Sequence, residues 1–154
     1  MIKAGDVILV KNRGLFGYVI RKATHSPYDH IGIFSSARDI IEATPKGVFK
    51  TNIDKYVNHN CIVWRLKREY NLNNGVAVVF AEKEIGESYD FLQIFRILFK
   101  FIFKTKRNDG NSRWTCSELV AEAYNAGGVK VKDINLDYAT PGTFWRSGLF
   151  EAVA

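Results

Sequence analysis

The hydrophobic pattern of this chain changes period once, and that change limits the folds open to it. From Gly5 to Leu66 the apolar residues fall in short runs or alternate with polar ones, and beyond Leu66 they recur at helical intervals. Gly5-Asp6-Val7-Ile8-Leu9-Val10 predicts a first buried strand, followed by a short helical or irregular stretch around Gly14 to Thr24. Tyr28 to Ser35 and Asp39 to Thr44 predict two strands joined by Ser36-Ala37-Arg38, and Pro45-Lys46-Gly47 turns the chain into a third near Val48 to Thr51. Cys61 to Leu66 alternates well enough to add another. Three helices are then expected. The first carries Val76, Val79, Phe80 and Ile85 on one face, with Asn74 as N-cap and Gly86 as stop. The second runs from Asp90 to about Lys104, with Gln93 in the capping-box position. The third spans Thr115 to Asn125 and is closed by Gly127-Gly128. A meander followed by helices, without regular βαβ alternation, predicts an α+β fold in which an antiparallel sheet packs against helices.

At 154 residues the chain suits one domain, residues 1–154. Hydrophobic residues at 47% and charged residues at 25% are those of an ordinary globular protein and exclude disordered and low-complexity classes. Twenty-two Lys and Arg against 16 Asp and Glu leave +6, which favours an anionic partner such as nucleic acid, a membrane surface or cell-wall polymer. The two cysteines, Cys61 and Cys116, are far apart with no C-x-x-C, so no disulfide framework or four-ligand zinc site is expected, and no metal or cofactor is called for. The N-terminus MIKAGDVILV lacks the apolar length and cleavage site of a signal peptide, so a cytoplasmic protein, with peripheral membrane contact as a variant, is expected.

Thr115-Cys116-Ser117-Glu118 is the most informative tetrapeptide: a T-x-x-E capping box that sets Cys116 in the first turn of a helix. Unpaired N–H groups and the positive end of the helix dipole favour a thiolate there, and the same groups can hold a developing oxyanion. The alternative for Cys116 is a small buried apolar residue that follows a cap. A thiolate nucleophile needs a base, and of His25, His30 and His59, His30 is best placed. In Tyr28-Asp29-His30-Ile31-Gly32-Ile33 it points away from the face of Ile31 and Ile33, beside a glycine that leaves it room. If Phe34 pairs with Ile40, Gly32 faces Glu42, which puts the carboxylate on the His30 face and diagonal to it; a two-residue shift sets the two directly opposite. Glu42 is therefore the candidate to orient the imidazole, against the reading of a solvated strand residue.

Asp6-Val7-Ile8, His30-Ile31-Gly32-Ile33, Ile41-Glu42-Ala43, Gly86-x-x-Tyr89-Asp90-Phe91 and Cys116-Ser117-Glu118-Leu119-Val120 occur in that order, and Thr140-Pro141-Gly142-Thr143-Phe144 follows. In this the chain resembles the circularly permuted NlpC-type papain-like cysteine hydrolases, the YiiX-like group in particular, to which the lecithin:retinol acyltransferase-like proteins are also similar. The resemblance runs nearly end to end. It implies a permuted papain-like fold in which the histidine strand precedes the cysteine helix; here His30 comes 86 residues before Cys116. It further implies Cys116 as nucleophile, His30 as base, Glu42 as orienter where a second histidine is common, and Tyr89, with Ser117, near the oxyanion or substrate.

From Phe91 to Phe103 the segment FLQIFRILFKFIF has only Gln93, Arg96 and Lys100 as polar residues, and Arg96, Lys100 and Lys104 form one basic stripe. As a helix, the fourteen-residue segment through Lys104 spans roughly 21 Å, too short for a hydrocarbon core of about 30 Å. It is either a core helix with charged tips or an interfacial one, with Phe95, Arg96, Phe99, Lys100 and Phe103 against a membrane or acyl chain, or a dimer face. The leading function is thus a thiol hydrolase or acyltransferase acting on an amide or ester bond through Cys116, His30 and Glu42, on a lipid-like or cell-wall peptide substrate. A non-catalytic lipid- or membrane-binding module using residues 90–106 is the alternative. Nucleic acid is not an expected partner, because charge at Lys11, Arg13, Lys104, Lys106 and Arg107 is its only support. The oligomeric state is left open.

Overall fold

The computed structural model describes residues 1–89, 113–130 and 139–153. The strands are β1 (Val7–Lys11), β2 (His30–Phe34), β3 (Asp39–Thr44), β4 (Gly47–Asn52), β5 (Asn60–Leu66), β6 (Ser88–Tyr89), β7 (Arg113–Trp114) and β8 (Phe150–Ala152). The α-helices are α1 (Leu15–Thr24), α2 (Asn74–Lys83), α3 (Cys116–Ala126) and α4 (Pro141–Arg146), and short 3-10 turns cover Ile53–Tyr56 and Arg68–Tyr70. Six strands form one antiparallel sheet in the order β4-β3-β2-β1-β5-β8, and β6 and β7 make a separate parallel pair.

The continuous apolar run Val7 to Val10 is explained by the position of β1, which lies between β2 and β5 and is covered on both faces. One face sends Val7, Leu9, Ile31, Ile33 and Ile41 into the main core beneath α2 and α3. The other sends Ile8, Val10, Phe34 and Ile40 into a smaller cluster capped by Tyr56. Asp6 opens β1 and is pinned by Arg65 through two 2.7 Å hydrogen bonds from Nε and Nη2, which ties the start of β1 to β5.

The structure corrects the expected face of the first long helix. Asn73, not Asn74, caps α2, its side chain accepting from the Val76 N–H at 3.1 Å. Ala77, Val78 and Ala81 are buried, whereas Val76 and Val79 are exposed and Ile85 lies beyond the helix; Phe80 alone of the expected set packs on the core. The reason is close approach. A Cβ on Gly127, at the end of α3, would stand 3.1 Å from the Ala77 Cβ, so the two helices meet where side chains are small, and Val76 and Val79 are left outside. The helix expected over Asp90 to Lys104 lies outside the described residues.

Candidate active site

Three segments converge on one point. Thr115 closes a complete capping box: its side chain accepts from the Glu118 N–H at 3.3 Å while Glu118 Oε2 accepts from the Thr115 N–H at 3.1 Å. The helix so fixed presents Cys116 at its first position, where the N–H groups of Cys116 and Ser117 have no intrahelical acceptor. Opposite it, His30 begins β2. The register is the expected one, with Phe34 paired to Ile40 and Ile33 to Ile41. Carried one step further it sets Gly32 against Glu42, and a Cβ at Gly32 would stand 3.4 Å from that of Glu42 and 2.6 Å from Ile40 Cγ2. The missing side chain is what lets His30 and Glu42 meet diagonally: His30 Nε2 lies 2.6 Å from Glu42 Oε2. The Cys116 thiol is the other side-chain partner of His30.

Glu42 has no accessible surface, yet it is saturated. Oε1 accepts from Thr51 Oγ1 at 2.8 Å and from Lys55 Nζ at 2.5 Å, and Oε2 also accepts from Tyr56 Oη. Burial alone would raise its pKa, but His30, Lys55 and Tyr56 together hold the carboxyl well below the usual range, so it is ionised. Burial would likewise lower the His30 pKa; the Cys116 sulfur and the Glu42 carboxylate outweigh it and raise it to about 10. For Cys116 burial pushes the thiol up, and His30, a backbone hydrogen bond from Ile31 and the Ser117 hydroxyl, 3.9 Å away, bring it below the ordinary value. These shifts act together to favour a thiolate at Cys116 beside a protonated His30, backed by a buried carboxylate. Tyr56 stays protonated, because burial and the Glu42 charge both raise its pKa.

Of the residues singled out in the sequence, Cys116, His30, Glu42 and Ser117 come together. Tyr89 pairs through its backbone with Trp114, two residues before Cys116, which brings the Gly86-x-x-Tyr89 segment alongside the start of the cysteine helix. Phe95, Arg96, Phe99, Lys100 and Phe103 lie outside the described residues. Thr51, Lys55 and Tyr56 were not anticipated. Thr51 is on the Glu42 face through the pairs Ile40 with Thr51 and Glu42 with Phe49, which a correct β4 register would have shown. Lys55 and Tyr56 arrive by a 3-10 turn that folds back over the sheet, for which no periodic signal exists. The Ile31 contribution is a backbone one and has no signature in residue type.

A cysteine at the head of a helix, a strand histidine against it and a carboxylate behind, with the histidine strand first in the chain, define a permuted papain-like protein. The chain belongs to the permuted papain-like amidase family described as YaeF/YiiX, C92, which it matches over residues 1–140. Among solved structures it is similar to the crystal structure of metalloprotein yiiX from Escherichia coli O157:H7, with a TM-score of 0.70, 21% identity, and coverage of 99% of this chain and 96% of that one. No curated protein matches. YiiX is described there as a metalloprotein; among the described residues of this chain no group of three or more His, Cys, Asp or Glu is disposed to hold a metal ion. Among the same residues no helix is long and apolar enough to cross a membrane.

Proposed function

We propose that the chain is a thiol amidase in which Cys116 is the nucleophile, His30 the acid and base, and Glu42 the residue that orients and charges His30. The observation that carries this reading is the buried relay from Glu42 through His30 to Cys116, which favours a thiolate at neutral pH. The thiolate forms a bond to the amide carbonyl carbon, and the carbonyl electron pair moves to oxygen, where the free N–H groups at the start of α3 receive the negative charge. As the intermediate collapses the C–N bond breaks, and the His30 imidazolium gives its proton to the leaving amine. A thioester on Cys116 remains. Water then attacks it, its proton passing to the now neutral His30, and the C–S bond breaks to restore thiolate and imidazolium. An amine or alcohol in place of water turns hydrolysis into acyl transfer by the same steps.

Ser117 and Tyr89 complete the site in this reading: the Ser117 hydroxyl, 3.9 Å from the sulfur, supports it, and Tyr89, whose backbone pairs with Trp114, serves the oxyanion. The substrate class proposed is a lipid-like amide, with a cell-wall peptide as the competing class. Membrane contact through residues 90–106 remains part of the proposal, as does a cytoplasmic, membrane-peripheral location.

The test is to incubate the protein with N-acyl amides and with cell-wall peptides, and to follow amine release together with the intact mass. A thioester adduct on Cys116, absent in Cys116→Ala and strongly slowed in His30→Ala, is expected with one class. Lack of both adduct and amine release across the two classes would count against the enzyme reading and favour a lipid-binding module. Adding an acceptor amine separates transfer from hydrolysis.

A further inference from the structure

Helix α1 is oriented the wrong way round for a helix of a soluble domain. Its buried positions are only Gly17 and Thr24, with Ile20, Arg21 and Ala23 half-buried beside them. There is no room there for more: a Cβ on Gly17 would stand 2.7 Å from Asp29 Oδ2. Arg21 is ion-paired with the buried Asp29 and donates to the Asn12 carbonyl at 2.9 Å, and Thr24 Oγ1 donates to the Ile20 carbonyl at 2.8 Å. Asp29 in turn accepts from the Asn12 N–H and side-chain amide, each at 2.9 Å. This polar inner side clamps the helix to the residue that precedes His30. The outer side is apolar: Leu15 is 79% exposed, Phe16 48% and Val19 39%. Helices ordinarily bury such a stripe, and here a polar clamp holds it in solvent.

The segment that carries this stripe is charged with one sign. Between Val7 and Tyr28 the chain has no acidic residue, and the nearest, Asp29, is occupied by Arg21. Lys11 and Arg13 lead into the helix and Lys22 lies one turn beyond Val19, all three exposed, with Lys22 Nζ 5.7 Å from the centre of the Tyr18 ring. An apolar strip rimmed by cations fits a surface that is anionic outside and apolar beneath. A second copy of this chain would bring the same cations to meet these, and nucleic acid would leave Leu15 and Val19 with nothing apolar to enter.

We infer that α1 is an interfacial helix, which seats Leu15, Phe16 and Val19 in an anionic lipid surface while Lys11, Arg13 and Lys22 contact the headgroups. Because Asp29 joins α1 to the start of β2, docking also fixes how the His30 end of the sheet stands over the bilayer. The inference does not depend on Cys116 being a nucleophile.

The experiment is co-sedimentation of the whole chain with vesicles of phosphatidylcholine alone and of phosphatidylcholine mixed with phosphatidylglycerol. The mixed vesicles are expected to bind it, with affinity falling as salt rises. Each of Lys11→Gln, Arg13→Gln and Lys22→Gln should weaken binding about fivefold. Leu15→Glu combined with Val19→Glu should weaken it more than about tenfold, while the rate at which iodoacetamide alkylates Cys116 stays unchanged and so reports an intact fold. Cys116→Ala should bind as the parent does, which separates this inference from the amidase reading. Three results overturn it: no binding of the parent protein to mixed vesicles; undiminished binding by the Leu15/Val19 variant, with loss in Phe95→Ser/Phe99→Ser moving the contact to residues 90–106; or a dimer, seen by light scattering, that the Leu15/Val19 variant dissociates.

Discussion

Glu42→Gln tests the relay most directly, since it changes one atom and keeps the shape. Four donors converge on a carboxylate with no accessible surface: His30 Nε2, Thr51 Oγ1, Lys55 Nζ and Tyr56 Oη. The glutamine amide can keep its oxygen toward His30 and Tyr56 only by turning its NH2 toward Thr51 and Lys55. Thr51 can rotate its hydroxyl to accept, and Lys55, which is half exposed, can swing to water. What is lost is the charge that faces a buried imidazolium. Removing one member of a buried ionic pair costs about 3–5 kcal/mol, and the escape of Lys55 puts the expected loss near the lower limit, about 3 kcal/mol in urea unfolding. The sign with pH follows from the pKa directions. Because the folded Glu42 carboxyl titrates far below its unfolded value of about 4.3, its contribution is complete above that value and fades as the pH falls. Parent and variant should therefore differ at neutral pH and converge on acidification. Without the carboxylate the His30 pKa falls, the thiolate population falls with it, and alkylation of Cys116 near pH 7 should slow about tenfold. A variant within about 1 kcal/mol of the parent, with the same alkylation profile against pH, would refute the relay.

Alkylation of Cys116 in the parent protein should proceed well below the pH of about 8.5 at which a free thiol ionises, and exposed Cys61, whose thiol partial burial pushes up, should lag behind it in the same peptide mass spectra. In Cys116→Ala the His30 imidazolium loses its anionic neighbour, so NMR titration should find its pKa clearly below about 10; an unchanged value would mean that Glu42 alone sets it. Since the His30 pKa is raised on folding, the stability it contributes is complete below the unfolded value of about 6.5 and fades as the pH rises toward 10. Gly32→Ala drives a Cβ into Ile40 Cγ2 and against Glu42, so it should cost about 1–3 kcal/mol and reduce amide turnover beyond its effect on folding; full activity would show that the diagonal is not needed. Thr115→Ala opens the capping box, with an expected loss of about 1 kcal/mol in thermal or urea unfolding and slower alkylation of Cys116.

What the chain determined by itself was short-range. The capping box at Thr115 follows from two side chains three residues apart and their nearest N–H groups, so the place of Cys116 on α3 was legible before any fold was known. Strand alternation separated His30 and Glu42 from the isoleucines beside them, and the burial of Ile33 and Ile41 on the opposite face excludes the one-residue slip that would have parted the pair. What only the tertiary structure decided was which surface each element turns inward, and what arrives from elsewhere in the chain. Lys55 and Tyr56 reach Glu42 because a 3-10 turn after β4 closes over the second face of the sheet, and nothing in residue spacing announces that path. α2 turns Ala77 and Ala81 inward and leaves Val76 and Val79 outside because close packing rewards small side chains where two helices touch. α1 turns its apolar stripe outward because an ion pair between Arg21 and Asp29, joining a helix to the strand after it, holds the opposite side in. Periodicity reports that a helix has an apolar side; only the neighbours, placed by contacts distant in sequence, determine whether that side meets the core.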